Sequence, residues 1–594
     1  MPANKDSAIK RLNQISSHIK TDSQSKGGKG KNTRGSSLPA DWSDVLNELE
    51  VIKKFARTPK YETTGYKRQK ESGKLWVRER IELLLDPGSF EEVGSAAGTA
   101  VWMRNPDQTG TITEQEKEVI KDFTPSNNVQ GFGKIRGRRV MLTADDFTLR
   151  AGHADGALMP KTLYMEKLCV HLKIPMIKLV DGASGGGSIT SYREHKASYL
   201  PELELLSWLA SIAGPKFSNK TDMSQMKELD LGIPQCAAVV GTAVGLGAAR
   251  AAVSHFSVIA ADIGSLFNAG PKIVEGATFE EDLSFDALGG PRIHCSNGVI
   301  DNIAPDEKGC YDQIAQFLSY VPNHGGILPP VLPGDDDPNR LCPELRTAIP
   351  RRAQRMYEVR PIIESLVDKG SFFEIGPYWG NTVVVGLARL GGRPVGIFAD
   401  DPMNNAGALD TAGSQKYSKH LRRCDVMGLP IVQLVDIPGF AVGTVAERSG
   451  VMKWGLEMYK TLFSTTIPIF TVITRRCYGI GGAILVANRD PNTRVAWPSG
   501  NWGSIPLDGG IEVNHRAELK RAGDKRDELY ARLEAEYMNL QNPVRTANRF
   551  GVEEIIDPAK TRSIICRWAK HMYENNLIER LQQRACGNIK PSFR

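Results

Sequence analysis

The sequence contains GFGKIRGRRVMLTADDFTLRAGHAD at residues 131–155 and a second version of the same pattern, GLARLGGRPVGIFADDPMNNAGALD, at residues 386–410. The two stretches align without a gap, so that Asp145 falls on Asp400. Later pairs keep the same offset, namely Pro175 with Pro430 and Asp181 with Asp436. Repetition of this kind indicates that the chain contains two homologous halves.

The repeat extends in both directions at slightly different offsets. Upstream, LDPGSFEEVG at 85–94 resembles VDKGSFFEIG at 367–376, and this offset is the larger one. Residues 99–128 therefore contain an extra stretch in the first half, which we expect to be a surface insertion. Downstream, IPQCAAVVGTAVGLGAA at 233–249 aligns with IPIFTVITRRCYGIGGA at 467–483, at a smaller offset.

Both halves alternate short β-branched runs with helix-like stretches, which predicts an α/β fold with mostly parallel sheets and ligands at the strand C-termini. The predicted strands include residues 140–143, 175–180 and 237–240 and then 395–398, 430–435 and 469–473; the predicted helices include 203–213 and 451–463. We predict three parts: a flexible basic arm with a lead-in helix (1–58), an N-terminal domain (59–330) and a C-terminal domain (331–594).

Charge and composition exclude several classes of protein. The formal charge of the 594-residue chain is +7, but residues 1–40 carry eight lysines and arginines and only two aspartates. The rest of the chain is nearly neutral, which argues against a nucleic-acid partner. No apolar run approaches the ~20 residues of a membrane span. The nine scattered cysteines favour a reducing compartment, and without a clear targeting signal we expect the cytoplasm ahead of the mitochondrial matrix.

Four glycine-rich turns follow predicted strands. Glycine lets the backbone approach a ligand, and successive N–H groups there can stabilise an oxyanion. One such turn is weak evidence, but turns in duplicated positions favour a site. The four turns are DGASGGGS (181–188), GTAVGLGAA (241–249), DIPGFAVG (436–443) and CYGIGGA (477–483).

The sequence from about residue 60 to residue 575 resembles the carboxyltransferase (β) subunits of the methylcrotonyl-CoA and propionyl-CoA carboxylases. The stretches that carry the resemblance are AGPKIVEGATFEEDLSFDALGG (269–290), VDIPGFAVGTVAERSG (435–450), IPIFTVITRRCYGIGGA (467–483) and GVEEIIDPAKTR (551–562). The resemblance implies two tandem crotonase-like domains, with the acyl-CoA on the N-terminal half and biotin on the C-terminal half. It also implies carboxyl transfer from carboxybiotin to the α or γ carbon of an acyl-CoA through an enolate.

The family's site residues can be placed on this sequence by local alignment. The implied catalytic donors are the amides of Gly245, Leu246 and Gly247 on the acyl side, and of Ile480 and Gly481 on the biotin side. Gly185, Gly186, Gly187 and Arg250 are the implied acyl-CoA residues, and Gly439, Phe440, Gly479 and Gly482 the implied biotin residues. Because no Met-Lys-Met biotinylation motif or ATP-grasp pattern is evident, a separate biotin carboxylase/biotin carrier (α) subunit is implied. The resemblance also implies a homo-oligomer, expected to be a hexamer built from dimers, without a metal.

Other interpretations of the same residues stay open. Arg250 can be a surface or structural arginine instead of a CoA-phosphate ligand, and the Asp145-Asp146 and Asp400-Asp401 pairs suit turns and caps better than acid/base dyads. His153, His255 and His294 lack a nucleophile in register and are interpreted as hydrogen-bonded residues. An enoyl-CoA hydratase of the same fold is disfavoured, because it would need carboxylates beside the glycine turns. A biotin-independent decarboxylase or other enolate-forming enzyme, and a catalytically silent scaffold, are the alternative functions.

Overall fold

Two seven-stranded sheets organise the chain, and the computed structural model describes residues 41–104, 118–152, 159–182, 196, 228–352, 355–486 and 493–593. The first sheet has the order β1-β4-β5-β6-β7-β9-β11, and two further two-stranded pairings join β2 to β3 and β8 to β10. In chain order these strands are β1 (Glu91–Glu92), β2 (Gly98–Arg104), β3 (Glu118–Pro125), β4 (Asn128–Ile135), β5 (Arg138–Asp145), β6 (Met176–Val180), β7 (Gln235–Val239), β8 (Thr242–Val244), β9 (Phe256–Ala260), β10 (Ser265–Phe267) and β11 (Asn302–Ala304).

The second sheet repeats this arrangement. Its order is β12-β13-β14-β15-β16-β17, with β18 paired to the end of β16. Its strands are β12 (Phe373–Glu374), β13 (Val383–Leu390), β14 (Arg393–Asp400), β15 (Ile431–Ile437), β16 (Ile469–Tyr478), β17 (Arg494–Ala496) and β18 (Asn501–Gly503). The pairing of β8 with β10 and that of Arg476–Tyr478 with β18 occupy equivalent places, since Thr242 and Arg476 match in the downstream part of the repeat. The duplication predicted from sequence is thus a duplication of sheet topology.

Helices cover these sheets. Those in and before the first sheet are α1 (Ser43–Arg57), α2 (Thr64–Glu71), α3 (Val77–Leu84), α4 (Met159–Leu172), α5 (Leu246–Ala252), α6 (Pro271–Thr278), α7 (Phe285–Gly289), α8 (Pro291–Ser296) and α9 (Glu307–Tyr320). The later ones are α10 (Arg360–Leu366), α11 (Thr411–Met427), α12 (Thr444–Ser449), α13 (Val451–Ser464), α14 (Gly479–Val486), α15 (Leu507–Asn514), α16 (Arg516–Ala522), α17 (Arg526–Leu540), α18 (Pro543–Ala547), α19 (Thr561–His571) and α20 (Leu577–Ala585). The helix predicted at 203–213 lies outside the described residues.

Four of the parallel strands in the described part of the chain are buried along their whole length. Every residue of β6, β7, β9 and β15 is buried, which is the pattern of a parallel sheet covered on both faces. β-branched and aliphatic residues in these runs favour strand conformation and fill the space beneath the helices. The insertion predicted at 99–128 contains the antiparallel pair β2–β3, whose Val101 and Trp102 are exposed.

The antiparallel hairpin that begins each sheet closes in the same way. Arg136 and Gly137 join β4 to β5 with φ of 49° and 79°, and both of their amides donate to the Asp86 carboxylate. In the second half Gly391 and Gly392 have φ of 56° and 77°, and their amides donate to Asp368. Two consecutive residues with positive φ form the tight turn that suits the twist of a hairpin. We call this arrangement the aspartate clamp.

The two sheets share one core. Phe256 of β9 stacks on Phe317 of α9 at a centroid distance of 5.0 Å and meets the edge of Phe373 of β12 at 5.5 Å. Buried charges join the halves as well: Arg423 of α11 donates to Asp301 at 2.9 Å and to the His255 carbonyl at 2.6 Å. Residues Ile52–Arg594 accordingly form one compact unit. The domain division at residue 330 stays a prediction.

Candidate active site

The first glycine turn connects β8 to α5. Gly245 precedes the helix with φ 56° and ψ −114°, a conformation that glycine adopts at little cost. The Gly245 amide donates to the Phe267 carbonyl at 3.0 Å, within the β8–β10 pairing, so it is already engaged. Leu246 and Gly247 open the helix, and the described residues offer their amides no protein acceptor. The turn therefore has two adjacent N–H groups without an acceptor among the described residues, and both residues are buried.

The second glycine turn lies at the equivalent place, between β16 and α14. Gly479 has φ 62°, and the side chain of the next residue, Ile480, is 57% exposed. Within the described part of the chain, the amides of Ile480 and Gly481 also find no protein acceptor. Both turns thus show the same arrangement: a glycine with positive φ, followed by two unpaired amides at the start of a helix.

The predicted biotin-side residues Gly439 and Phe440 lie against this second turn. A Cβ added to Gly481 would be 3.3 Å from the Gly439 carbonyl carbon and 3.3 Å from the Phe440 nitrogen. Leu409 fixes this segment, because its amide donates to the Gly439 carbonyl at 3.1 Å and its carbonyl accepts from Ala441 at 2.9 Å. The structure therefore brings Gly439, Phe440, Gly479, Ile480, Gly481 and Gly482 together.

Gly482 has no room for a side chain either. A Cβ there would lie 2.8 Å from the Cys477 carbonyl carbon and 3.0 Å from its sulfur. Contacts this short force the backbone or the neighbour to move. Glycines in this turn therefore allow close packing, in addition to the backbone exposure that the sequence suggested.

Arg250, which the sequence offered as either an acyl-CoA residue or a structural arginine, lies inside the protein. Its side chain is buried in α5, where it donates to Asp145 at 3.3 Å and to the Thr143 hydroxyl at 3.4 Å. A buried guanidinium that is paired with a carboxylate favours the structural alternative, because separating such a pair is costly. The acyl-CoA role of Arg250 stays a prediction. Gly185, Gly186 and Gly187 lie outside the described residues.

Two buried aspartates support the two turns, although no motif in the sequence assigns them a role. The Asp181 carboxylate accepts from the Thr242 amide at 3.2 Å, from Arg80 at 2.8 Å and from Lys74 at 3.3 Å. The Asp436 carboxylate accepts from the Arg476 amide at 3.1 Å and from the Arg475 and Arg476 side chains at 3.0 and 2.6 Å. Their match in the internal repeat was the signal that could have identified them.

A further carboxyl group lies beside the second turn. Asp400 accepts from the Asp436 amide at 2.9 Å and is buried. Burial raises its pKa to about 8, and the neighbouring negative charge of Asp436 adds to this effect. Burial alone would also raise the pKa of Asp436, but the adjacent Arg476 and Arg475 guanidinium groups lower it below its ordinary value. At neutral pH the two carboxyls therefore differ in protonation.

The remaining candidates have structural roles. Asp146 accepts from the Thr148 amide at 3.0 Å and Asp401 from the Met403 amide at 3.0 Å, which confirms the turn interpretation for these two aspartates. Asp145 and Asp400 instead accept from Arg250 and from the Asp436 amide. His255 bonds to the Gln235 amide and the Leu229 carbonyl, and burial lowers its pKa to about 3. His153 lies outside the described residues. Among the described residues no cluster of three acidic, histidine or cysteine side chains suits a metal ion, and none of their helices could span a membrane.

Comparison with known proteins identifies the family. The carboxyl transferase domain matches residues 68–589. The propionyl-CoA carboxylase carboxyltransferase subunit of Haloferax mediterranei is 30% identical over 502 residues, covering 83% of this chain and 90% of that protein. The mitochondrial propionyl-CoA carboxylase beta chain of Homo sapiens is 32% identical over 502 residues, covering 84% and 85%. A transcarboxylase 12S crystal structure, a hexamer assembly with methylmalonyl-coenzyme A and methylmalonic acid bound, superposes with a TM-score of 0.72 at 27% identity, covering 93% and 97%.

This chain belongs to the carboxyl transferase family. Within the family it is an enzyme of the acyl-CoA carboxylase type, a carboxyltransferase subunit, as the resemblance predicted. The predicted crotonase-like α/β fold is confirmed as well.

Proposed function

We propose that the chain moves a carboxyl group from carboxybiotin to the α or γ carbon of an acyl-CoA thioester. The acyl-CoA binds to the N-terminal domain (59–330) and the biotin group to the C-terminal domain (331–594). One observation carries the proposal: the unpaired amides that begin at Leu246 and at Ile480 occupy equivalent places in the duplicated halves. The transfer leaves negative charge on two oxygens, the thioester carbonyl oxygen and the ureido oxygen, and each needs a place of this kind.

In this proposal the backbone amides of the two turns stabilise the negative charge that develops during the reaction. Loss of a proton next to a thioester puts negative charge on the carbonyl oxygen, which the Leu246 and Gly247 amides stabilise where it develops. One oxyanion donor of this kind contributes about 10²–10³ in kcat. When bound, carboxybiotin would supply the carboxyl group and, through its ureido nitrogen, an acceptor for the substrate proton. Ile480 and Gly481 stabilise the charge on the ureido oxygen.

The turn beside Ile480 suits a ring system with apolar faces and an acceptor oxygen. Gly439 and Gly479 carry no side chain and have space beside them, so a ligand can approach their backbone, while the exposed Ile480 and the half-buried Phe440 offer apolar surface. The bicyclic ring of biotin has apolar faces and one strong acceptor oxygen, which matches this surface. On the acyl side, Gly185, Gly186 and Gly187 are proposed to shape the acyl pocket.

The decisive test pairs the purified chain with free biotin and methylmalonyl-CoA and measures carboxylated biotin. Transfer to biotin supports the proposal, and a tagged chain should also capture a biotinylated subunit from its own cells and fix bicarbonate with an acyl-CoA. Loss of carbon dioxide from the thioester without biotin would establish the decarboxylase instead. Capture of the biotinylated subunit without any turnover would indicate the scaffold.

A proline at Leu246 tests the amide directly. Leu246 is the first residue of α5, where proline fits the helix and removes only the N–H group. We expect Leu246→Pro to lower kcat about 10²-fold or more, because it removes one oxyanion donor. Leu246→Ala keeps the amide and is the matched control, so it should keep most of kcat. Equal losses in both variants would contradict the role of the amide.

We also propose a homo-oligomer, a hexamer, together with a separate biotin carboxylase/biotin carrier subunit. One face of α13 supports a protein contact: Met452, Leu456, Tyr459 and Phe463 are 51%, 46%, 38% and 58% exposed at helical spacing. Exposed apolar stripes of this kind mark interfaces.

A charge on this face should therefore weaken the assembly. We expect Phe463→Asp to lower the assembled mass in sedimentation or mass photometry, because it places a carboxylate in an apolar contact. Phe550→Asp, at a phenylalanine that is 79% exposed elsewhere, is the control and should keep the wild-type mass. An unchanged mass for Phe463→Asp would exclude this helix from the interface.

A further inference from the structure

The two buried aspartates Asp181 and Asp436 are equivalent residues, and they make one bond in common. Asp181 directly follows β6, and Asp436 is the penultimate residue of β15. Each accepts the amide of the residue four positions before the first unpaired amide. That donor is Thr242 in the first half, before Leu246, and Arg476 in the second, before Ile480. The bond therefore holds the segment that leads into each glycine turn.

The other partners of the two carboxylates differ. Asp181 is surrounded by the side chains of Gln69, Lys74 and Arg80, which come from α2, the segment after it and α3. Asp436 takes its partners from β16 and from the Tyr357 hydroxyl, at 2.9 Å. Both halves thus keep the bond to the backbone amide, while the cationic side chains around the carboxylate come from different elements in each half.

The space around Asp181 shows how closely the turn is fitted to it. A Cβ on Gly241 would lie 2.0 Å from an Asp181 carboxylate oxygen, so the strand can pass only because residue 241 is a glycine. Arg80 extends the contact, since it donates to the Val240 carbonyl at 2.6 Å while it pairs with Asp181. Asp181 and Arg80 thus contact residues 240, 241 and 242 in turn, by a hydrogen bond, by close packing and by a second hydrogen bond.

We propose that Asp181 and Asp436 are positioning residues, each of which fixes the amides of its own half-site: Asp181 those that begin at Leu246, and Asp436 those that begin at Ile480. This inference rests on the proposed function. A displacement of catalytic groups by ~1 Å can cost about 10²-fold in rate. Because each aspartate holds the amides of one half-site, the loss of either bond should affect one substrate only.

Hydrogen–deuterium exchange of the full-length chain tests the positioning without any turnover. Asp181→Ala should speed exchange in peptides covering 242–248 and leave 476–482 unchanged, and Asp436→Ala should do the reverse. Asp181→Asn and Asp436→Asn keep an acceptor oxygen and should leave exchange near wild type. If an alanine variant does not fold, Asp181→Ser or Asp436→Ser replaces it, because the serine hydroxyl is too short to reach the amide. Faster exchange in both segments at once, or in neither, would overturn the proposal.

Kinetics with methylmalonyl-CoA as donor and free biotin as acceptor provide the second readout. Asp181→Ala should change KM for the CoA thioester or kcat, and Asp436→Ala should raise KM for biotin with KM for the thioester unchanged. Equal effects of each variant on both substrates would show a general structural role instead. If the wild-type chain neither transfers a carboxyl group to biotin nor fixes bicarbonate with its biotinylated subunit and an acyl-CoA, the proposed function fails, while the exchange experiment still decides whether the aspartates hold the turns.

Discussion

At the scale of single residues, environment separates side chains that the sequence presents as alike. Asp145 and Asp400 match in the repeat, yet Asp145 pairs with the Arg250 guanidinium and Asp400 has the Asp436 amide as its partner. Ile484 stands where the repeat places the counterpart of Arg250, so the second half lacks the equivalent cation. The two halves have therefore diverged in charge directly behind their glycine turns.

Asp400 should make stability depend on pH. Because its pKa is raised to about 8 in the folded protein, the folded state binds a proton more tightly than the unfolded state. Stability then falls as pH rises from the ordinary carboxyl range towards 8 and levels off above it. We expect Asp400→Asn to remove this fall, so that its unfolding midpoint gains on wild type between pH 6 and pH 9.

The exposed Asp527, with 97% of its side chain accessible, is the control for this comparison. Asp527→Asn makes the same chemical change in solvent and should shift the midpoint equally at both pH values. Parallel pH profiles of Asp400→Asn and wild type would refute a raised pKa at Asp400.

At the scale of elements, the sequence predicted where strands and turns lie, but it did not predict the hydrogen-bond and ion-pair partners of the residues in them. The β-branched runs predicted β5, β6, β14, β15 and β16, because local propensity and the internal repeat agree there. The engaged amide of Gly245 depends on the Phe267 carbonyl in β10, and the burial of Arg250 depends on Asp145 in β5. Contacts between positions so far apart in the chain leave no periodic signal in a single sequence.

The second glycine turn can be tested at its exposed residue. Ile480→Pro removes an N–H group at the start of α14, where proline is tolerated, and Ile480→Ala keeps it. We expect the proline variant to lose about 10²-fold or more in kcat for transfer to biotin. Binding of the acyl-CoA, measured by calorimetry, should stay unchanged in both variants. A loss of acyl-CoA affinity in the proline variant would contradict the division of the two substrates between the two turns.

At the scale of the whole molecule, buried charge holds the two halves together. Burial alone would raise the pKa of Asp301, but Arg423 and Lys419 of α11 lower it to about 2. The resulting stabilisation is present above the ordinary carboxyl pKa and is lost as pH falls towards 2. The junction of the halves should therefore be sensitive to acid.

Asp301→Ala tests this junction at neutral pH. The substitution leaves the buried Arg423 and the partly buried Lys419 without this carboxylate, and breaking such a pair costs about 3–5 kcal/mol. Urea denaturation should show a correspondingly lower free energy of unfolding. Glu275→Ala, which removes an exposed ion pair with Lys272, should cost only about 0–1 kcal/mol. A similar small loss for both variants would show that the halves are held by their apolar core alone.

The aspartate clamp suggests how such a molecule originated. Asp86 and Asp368 close their hairpins at the start of β5 and β14. The glycine turns lie beyond the carboxyl ends of the parallel strands, which is the opposite end of each sheet. An ancestral chain of half the length would have carried the clamp before its gene was duplicated. Each half then kept the aspartate-closed hairpin at one end of its strands, while the glycine turn at the other end could change its ligand without disturbing that hairpin.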